Sequence, residues 1–386
     1  EDPDDATTSY QYDAAGRVTR IELPDGLGAV EMTWDANGNM LTRTSPGGQV
    51  TIYAHDAEDN VTSHTYEPMA ATTTYEYDAL QRLAKVTDPL GGETTYTYDD
   101  DSNLLTVTDA DGATVEYVYS RRNQLVAVEY ANGSSTSLGY DPNGRLTTFT
   151  DPLGSSWSWD WDAEGQLLSS TDPNGATTRL FRDASGRDIN VTNALDETTI
   201  VRNGALGDLE TLRFDDGSTI ERRHNLAGGL QRFTDARGTT WRYAYDAPGR
   251  IASVTGPDGL SERYRYDGAG RLVELELRDG GVIQYAYDLD GRLVGMTLPD
   301  GSTTTLAYQV DASGTTMTVT EVVGTTVIEY DVLGRFVGKT DPFGKTVAVT
   351  YTPAGRVATV TSPGGLVVTY QYDDAFRLDI LQVDDG

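Results

Sequence analysis

The sequence predicts an all-β fold built from tandem antiparallel β-hairpins, and three observations support this prediction. Tyrosine followed by aspartate recurs every 21 or 22 residues along the 386-residue chain, usually with Gly-Arg three and four residues after the aspartate. A second turn signal lies between these motifs, so turns recur every 10 or 11 residues. The stretches between turns alternate apolar and polar residues with period two, as strands do. About 18 units of 21–22 residues account for the whole chain.

The first turn signal is Tyr-Asp-x-x-Gly-Arg, in which each position has its own part in the bend. Aspartate accepts hydrogen bonds from the backbone N–H groups that follow it, and glycine adopts the positive φ that the turn requires. The six clearest copies are Tyr12, Asp13, Gly16, Arg17; Tyr140, Asp141, Gly144, Arg145; Tyr245, Asp246, Gly249, Arg250; Tyr266, Asp267, Gly270, Arg271; Tyr287, Asp288, Gly291, Arg292; and Tyr330, Asp331, Gly334, Arg335.

The second turn signal combines proline, aspartate and glycine, as in Asp88-Pro89-Leu90-Gly91 and Pro257-Asp258-Gly259. Each unit is therefore two short strands, and the chain is a long meander. Apolar residues follow each Gly-Arg at the first and fourth positions, as Val18 and Ile21 do. This spacing would place them on opposite faces of a regular strand, so we expect a bulge after the glycine.

The number of strands predicts how the sheet must close. Some 36 strands spaced about 4.8 Å apart would form a strip on the order of 170 Å long. Open twisted sheets rarely exceed about 10 strands, so the strip should wind into a β-spiral that forms a hollow shell or tube wall. A β-propeller is the alternative, but its blades need four strands with distinct roles, whereas every unit here looks alike.

Composition excludes several classes of function. The chain has 60 acidic and 29 basic residues, giving a net charge of −31, which argues against binding nucleic acid or anionic lipid. It has no cysteine, so disulfide and thiolate chemistry are excluded. No apolar run approaches the ~18 residues that cross a bilayer, so we expect no membrane insertion. We expect one continuous array over 1–386, which forms part of a longer protein.

The repeated Tyr-x-Tyr-Asp-x-x-Gly-Arg-Leu pattern resembles the YD-repeat, or Rhs-repeat, family of bacterial Rhs polymorphic toxins, toxin-complex C components, wall-associated proteins and teneurins. The resemblance extends over essentially the whole chain, although copies depart from the pattern between Arg182 and Asn225 and around Tyr308, where we expect distorted hairpins. The resemblance implies a β-spiral shell that in the toxins holds a C-terminal effector. It also implies that the motif tyrosines pack along the wall, the aspartates and glycines hold the turns, and the arginines bridge to neighbouring hairpins.

Few residues are arranged for other chemistry. His55, His64 and His224 lack metal-ligand spacing, and two of them occupy the repeat tyrosine position, which indicates a structural role. Asp99, Asp101 and Asn103 begin like a calcium loop, but that pattern requires glycine at position six and glutamate at position twelve. Leu104 and Ala110 stand there, so the sequence predicts no metal site and no cofactor.

Three tryptophans alternate along one predicted strand, at Trp157, Trp159 and Trp161. Aromatic faces can stack on sugar rings, so the three could form a glycan-stacking platform. The other interpretation is that they fill the wall.

Together these observations favour a non-enzymatic structural shell or tube that encloses or displays another polypeptide. They place it outside the cytoplasm of a bacterium, secreted or on the cell surface. One alternative is an adhesin or glycan-binding module that recognises a cell-surface glycan or protein. Another is a self-assembling extracellular filament subunit, because the unpaired strand edges at the two ends of an array can template end-to-end pairing.

Overall fold

The computed structural model describes residues 7–182, 189–204, 209–373 and 376–384. It contains 36 strands and two single 3₁₀ turns, Pro24–Gly26 and Glu67–Met69. Each strand pairs antiparallel with the strands before and after it in sequence, so the sheet is one meander. The predicted all-β fold of tandem hairpins is confirmed. No described helix is long and apolar enough to span a membrane.

The strands have the following bounds: β1 Ser9–Tyr12, β2 Val18–Glu22, β3 Ala29–Trp34, β4 Met40–Thr44, β5 Val50–His55, β6 Val61–Tyr66, β7 Ala71–Tyr77, β8 Leu83–Thr87, β9 Glu93–Tyr98, β10 Leu104–Thr108, β11 Thr114–Tyr119, β12 Leu125–Tyr130, β13 Ser135–Tyr140, β14 Leu146–Thr150, β15 Ser156–Trp161, β16 Leu167–Thr171, β17 Thr177–Arg182, β18 Ile189–Thr192, β19 Thr198–Asn203, β20 Leu209–Arg213, β21 Thr219–His224, β22 Leu230–Thr234, β23 Thr240–Tyr245, β24 Ile251–Thr255, β25 Ser261–Tyr266, β26 Leu272–Glu276, β27 Val282–Tyr287, β28 Leu293–Thr297, β29 Thr303–Asp311, β30 Gly314–Glu321, β31 Gly324–Tyr330, β32 Phe336–Thr340, β33 Thr346–Tyr351, β34 Val357–Thr361, β35 Val367–Tyr372 and β36 Leu378–Asp384.

The bulge expected after the glycine is present. In the first hairpin Gln11 pairs with Arg20 while Tyr12 pairs with Val18, which leaves Thr19 as the extra residue. The same register shift recurs next to most Tyr-Asp turns, as between β25 and β26. Because the extra residue restores the alternation, Val18 and Ile21 lie on one face of the sheet despite their spacing of three.

The departures from the repeat pattern have two different outcomes. Around Tyr308 the bulge is lost, and β29, β30 and β31 are longer strands joined by two-residue turns at Ala312-Ser313 and Val322-Val323. Between Arg182 and Asn225 the described strands keep their antiparallel order, but the β17–β18 pair lacks the register shift that the β19–β20 and β21–β22 pairs have. The turn segments 183–188 and 205–208 lie outside the described residues.

The two faces of the sheet differ in chemistry. One face, here called the aromatic face, carries tyrosines, tryptophans and aliphatic side chains that are half-buried, as along β23. The other, the polar face, carries exposed Thr, Arg, Glu and Lys side chains. No described side chain is fully enclosed, and even Ala71 and Val115 remain 8% exposed. The protein is therefore a single-layer wall, in which no second layer of described residues covers the aromatic face.

Distant turns meet along a seam. Gly47, after β4, donates its N–H to Asp290, after β27, at 2.9 Å. Ala354, after β33, donates its N–H to Asp111, after β10, at 3.1 Å. Both pairs are 243 residues and 23 strands apart. The sheet thus returns to itself after 23 strands, so that a second coil, β24–β36, lies on the first, β1–β23. The predicted β-spiral fold is therefore confirmed, and its coils repeat at this interval.

Candidate functional site

The repeated feature of the wall is a turn in which one aspartate organises the whole bend. In the first copy Asp13 donates its N–H to the Arg17 carbonyl at 2.9 Å, and Gly16 donates back to the Asp13 carbonyl at 3.0 Å. The Asp13 Oδ1 atom accepts the N–H groups of Ala15 and Arg17, each at 2.9 Å. Gly16 has φ of +80°, which an L side chain rarely adopts. The aspartate therefore satisfies the amides that the bend leaves without a strand partner.

The arginine that ends the turn closes it from the other side. The Arg17 Nε atom donates to Asp13 Oδ2 at 2.7 Å, and the same contact joins Arg145 to Asp141 at 2.7 Å. The same arginine-to-aspartate contact is present in the four remaining clear copies, Arg250 with Asp246, Arg271 with Asp267, Arg292 with Asp288 and Arg335 with Asp331. Each pair holds its own turn.

Hydrogen bonding lowers the pKa of several of these aspartates. For Asp13 and Asp141 the largest cause is the backbone N–H of the arginine four residues later, which stabilises the ionised carboxylate. For Asp288 the largest influence is burial, which opposes ionisation, but the hydrogen bonds from Arg292 outweigh it and the pKa is lowered. These carboxylates are held as anions for a structural purpose.

The same arginines also connect each hairpin to the next. Arg271 donates its Nη1–H to the Asp288 carbonyl at 3.0 Å, and its guanidinium lies 5.0 Å from the centre of the Tyr287 ring. Tyr287 in turn donates its hydroxyl to the Leu272 carbonyl at 2.9 Å, and burial raises the pKa of this tyrosine. We call this two-way contact the turn ladder.

The turn ladder recurs along both coils. The arginine-to-ring contact is 4.8 Å for Arg250 on Tyr266 and 4.6 Å for Arg335 on Tyr351. The hydroxyl-to-carbonyl bond links Tyr140 to Leu125 at 2.8 Å and Tyr245 to Leu230 at 2.9 Å. Tyr12, in the first hairpin, is 58% exposed, and Tyr330 instead meets Phe336 edge to face at 6.3 Å. The motif therefore connects successive hairpins rather than forming an isolated pocket.

The seam contains polar residues that sequence reasoning did not identify. Arg356 pairs with both Asp109 and Asp111, and Thr352 donates its hydroxyl to Asp111 at 2.8 Å. A sequence signal was available, because Asp111 and Asp290 are second acidic residues two positions after the turn aspartate. Asp111 and Asp290 contact the opposite coil, and Asp109, which organises its own turn, also contacts the opposite coil through Arg356.

The three predicted tryptophans are divided between two environments. Trp161 donates its indole N–H to the Leu146 carbonyl at 2.7 Å and so takes the ladder position. Trp157 and Trp159 line a cavity of about 350 Å³ together with Asp172 and Asn193. The Trp157 ring also packs against Phe149, with ring centres 5.5 Å apart. Two of the three tryptophans therefore share one cavity, which Trp161 does not line.

The calcium-like segment forms a turn of the same kind as the others. Asp99 Oδ1 accepts the N–H groups of Asp101 and Asn103 at 2.9 and 2.8 Å, and its Oδ2 accepts the Asn103 side-chain amide at 2.9 Å. Hydrogen bonds from Asn103 lower the pKa of Asp99. Within the described ranges, no three His, Cys, Asp or Glu side chains are grouped to hold a metal ion.

The histidines lie in different hairpins. His64 faces Tyr75, whose hydroxyl lies 3.1 Å from the His64 Nδ1 atom, and the two rings stack with centres 5.9 Å apart. His55 and His224 end strands β5 and β21, where most repeats have tyrosine. Both histidines therefore lie in the sheet that forms the wall.

Comparison with known proteins supports the same architecture. The RHS Repeat family model matches residues 1–27, 34–74, 68–93, 77–114, 119–156, 140–177 and 161–198, and the Teneurin YD-shell model matches residues 224–384. None of the curated proteins matches the sequence.

Two solved structures share the fold. The Photorhabdus luminescens Tc holotoxin pore aligns over 97% of this chain with a TM-score of 0.74 and 15% identity. The TcdB2-TccC3-Cdc42 crystal structure aligns over 98% with a TM-score of 0.72 and 15% identity. This chain spans about a quarter of the length of those chains, 24% and 23% respectively. The hairpins, the turn ladder and the family models agree over both coils. The chain therefore belongs to the YD-repeat, or Rhs-repeat, family.

Proposed function

We propose that this chain is a section of a non-enzymatic shell wall that encloses or displays another polypeptide outside the bacterial cytoplasm. The observation that carries the proposal is the single-layer sheet, which turns on itself through the seam and leaves one apolar face without a covering layer among the described residues. A sheet with an uncovered apolar face is stable in water when that face is turned inward or occupied. A wall around a lumen provides both conditions.

The dimensions of one coil suit this role. Twenty-three strands at about 4.8 Å give a circumference of about 110 Å and a backbone diameter of about 35 Å. Because the inner surface of a curved wall is smaller than the outer surface, apolar side chains gathered there expose less area to water. We therefore assign the aromatic face to the lumen and the polar face to the exterior.

The side chains that line the lumen indicate which kind of partner it can hold. A lumen of tyrosine, tryptophan and aliphatic side chains offers contacts to an extended or unfolded polypeptide, because such a chain exposes the apolar groups that a folded domain buries. The similarity to Tc toxin structures favours a toxin-related, extracellular shell. No catalytic role is assigned to any described residue.

Electron microscopy of the isolated chain tests the wall. Class averages should show a ring or short tube with a stain-filled centre and a wall one sheet thick. A compact particle without a central density minimum would contradict the shell.

Chemical labelling tests the assignment of the faces. The chain lacks cysteine, so single cysteines can be introduced at Thr94 and Thr97, which lie on opposite faces of β9. Thr97→Cys should react with both N-ethylmaleimide and a bulky polyethylene-glycol maleimide, whereas Thr94→Cys should react well only with the small reagent. The reverse order of reactivity would place the polar face inside.

A second candidate function requires the aromatic face to be open to solvent, and it rests on the cavity at Trp157 and Trp159 on that face. Two indole rings with a carboxylate and an amide beside them suit a saccharide, which stacks on aromatic faces and hydrogen-bonds to polar groups. A glycan array should then give hits that Trp157→Leu and Trp159→Leu abolish. Trp241→Leu is the matched control, because Trp241 packs on Phe233 with ring centres 5.6 Å apart as Trp157 does on Phe149. An array without hits, or equal loss with all three variants, would reject this function.

A further inference from the structure

Three arginines form a row across neighbouring strands of the polar face. Arg223 on β21 lies directly opposite Arg232 on β22, and Arg232 lies directly opposite Arg242 on β23. Directly opposed side chains in an antiparallel pair have Cβ atoms about 5 Å apart, and like charges at that distance destabilise the sheet. A row of three opposed cations is therefore unfavourable unless something else compensates it.

Several other cations on this face lie opposite carboxylates, while Arg179 and Arg202 lie opposite threonines. Arg263 lies opposite Glu276 and bonds to it at 2.6 Å, and Arg265 lies opposite Glu274 and bonds to it at 2.5 Å. Lys85 likewise lies opposite Glu76, at 3.0 Å. The arginine row differs from both arrangements, because it places cation opposite cation in a chain whose acidic residues outnumber its basic residues 60 to 29.

The row has little compensation from the protein itself. Arg232 contacts Glu221 at 3.3 Å through Nη2, while its Nε–H is enclosed and has no hydrogen-bond acceptor among the described residues. The side chains of Arg223 and Arg242 make no hydrogen bond or ion pair to any part of the chain that the structure describes. The exposed guanidinium groups of Arg223 and Arg242 are thus available to an external anion.

A groove accompanies the row. Its volume is about 460 Å³, and it is lined by Arg232 and Arg242 together with hydroxyl groups of Thr219 and Thr240. Arg223 stands beside it, opposite Arg232. The site therefore combines planar cations, which bind carboxylates through two parallel hydrogen bonds, with hydroxyls that can pair with backbone amides.

The acidic side chains in the same groove limit which kind of anion can bind there. Glu221 and Asp235 also line it, so a densely charged polysulfate or polyphosphate would bring its charge against them. An acidic peptide instead carries separate carboxylates joined by neutral backbone that can hydrogen-bond to the threonines. We propose that the row of Arg223, Arg232 and Arg242 is a docking site on the polar face for an acidic peptide segment of a partner protein.

Fluorescence anisotropy with a fluorescein-labelled deca-glutamate peptide tests this site on the intact chain. The peptide should bind saturably at low ionic strength and weaken with added salt, and deca-glutamine should not bind. R232Q combined with R242Q should weaken binding by about tenfold or more, because it removes both guanidinium forks of the groove. R263Q combined with R265Q is the matched control, which removes two arginines from the same face that already have carboxylate partners, and should leave the affinity nearly unchanged.

Other results would overturn the site. These are the absence of saturable binding, equal loss in both double variants, and binding of a sulfated decasaccharide as tight as that of deca-glutamate. Circular dichroism should show unchanged strand content for both double variants. If the glutamine variant does not fold, R232K with R242K replaces it, since lysine keeps the charge but loses the fork; an affinity equal to that of the unmodified chain would then reject the guanidinium site.

Discussion

The Gly47 N–H donates to Asp290 Oδ1 at 2.9 Å, although 243 residues separate them in the sequence. Each of these residues lies in a turn, one after β4 and the other after β27, so the bond joins two coils of one sheet. The hairpins are held by local contacts, whereas the relative position of the coils depends on a small number of such long-range contacts. Substitutions that remove local hairpin contacts and substitutions that remove seam contacts should therefore have separable effects on stability.

The seam should depend strongly on Arg356. This side chain is 19% exposed and pairs with Asp109 and Asp111, which are 19% and 21% exposed. We expect Arg356→Gln to lower the free energy of unfolding by about 1–3 kcal/mol, because charge-assisted hydrogen bonds are lost and two carboxylates remain. Urea denaturation measures the total effect. Hydrogen exchange should locate the loss of protection at 109–113 and 352–356, and Arg263→Gln should not produce it; a uniform loss along the chain would contradict a local seam.

The glycine of each turn should tolerate asparagine better than alanine. Gly334 has φ of +76°, and no atom lies within 4 Å of where a Cβ would stand, so the penalty is one of backbone conformation alone. We expect Gly334→Ala to destabilise by about 1–2 kcal/mol and Gly334→Asn by less. The chain already uses other residues at this position, with Gln81 at φ of +63° and Asn123 at +58°. Equal midpoints of thermal unfolding for the two variants would contradict this explanation.

The ladder hydroxyl should contribute measurably to stability. Tyr287→Phe removes the bond to the Leu272 carbonyl at 2.9 Å but keeps the ring beneath Arg271. We expect a loss of about 0.5–1.5 kcal/mol in the free energy of unfolding. Tyr12→Phe serves as the control, since Tyr12 is 58% exposed and its hydroxyl has no bond to a described residue. If both substitutions had the same effect, the ladder bond would contribute nothing.

Acid should weaken the turns through their aspartates. The pKa of Asp13 and of Asp141 is lower in the fold than the ordinary value of 3.8, chiefly because the arginine backbone N–H four residues later stabilises the anion. The unfolded chain therefore takes up protons first as the pH falls. This stabilisation is complete above the ordinary pKa and is lost as the pH falls through the lower folded-state values.

Urea midpoints measured between pH 7 and pH 2 should accordingly stay level at first and then decline. Asp141→Asn should be less stable near neutral pH and should show a shallower decline, because it removes one of the titrating groups. Midpoints that rise on acidification would contradict the role assigned to these carboxylates.

Much of this fold was accessible from the sequence because its determinants are local. The aspartate, glycine and arginine of one turn lie within five residues, so their spacing in sequence is nearly their spacing in space. The bulge could also be anticipated, since Val18 and Ile21 could share a face only with one extra residue between them. The two-residue turn at Ala312-Ser313 was less accessible, because loss of the motif indicates a change without stating its form.

The coil repeat could not be obtained in this way. It is the sum of small twists and bends over 23 strands, and a modest error in each one changes which turns meet at the seam. The arginine row is a different case, since Arg223, Arg232 and Arg242 are visible in the sequence, spaced by 9 and 10 residues. The acidic net charge of the whole chain gives no indication of this row. Only the strand register shows that the three arginine side chains lie opposite one another.

The odd number of strands per coil has a consequence for how such proteins lengthen. With 23 strands per coil, the rim formed by the second kind of turn meets the rim formed by the Tyr-Asp turns, as Gly47 does with Asp290 and Asp111 with Ala354. Duplication of one unit in the gene inserts two strands. Each rim therefore keeps the same kind of turn, and every new turn lies opposite a turn of the other kind. Unequal recombination within the repeats can thus extend the wall in steps of 21 or 22 codons while the existing coils remain matched.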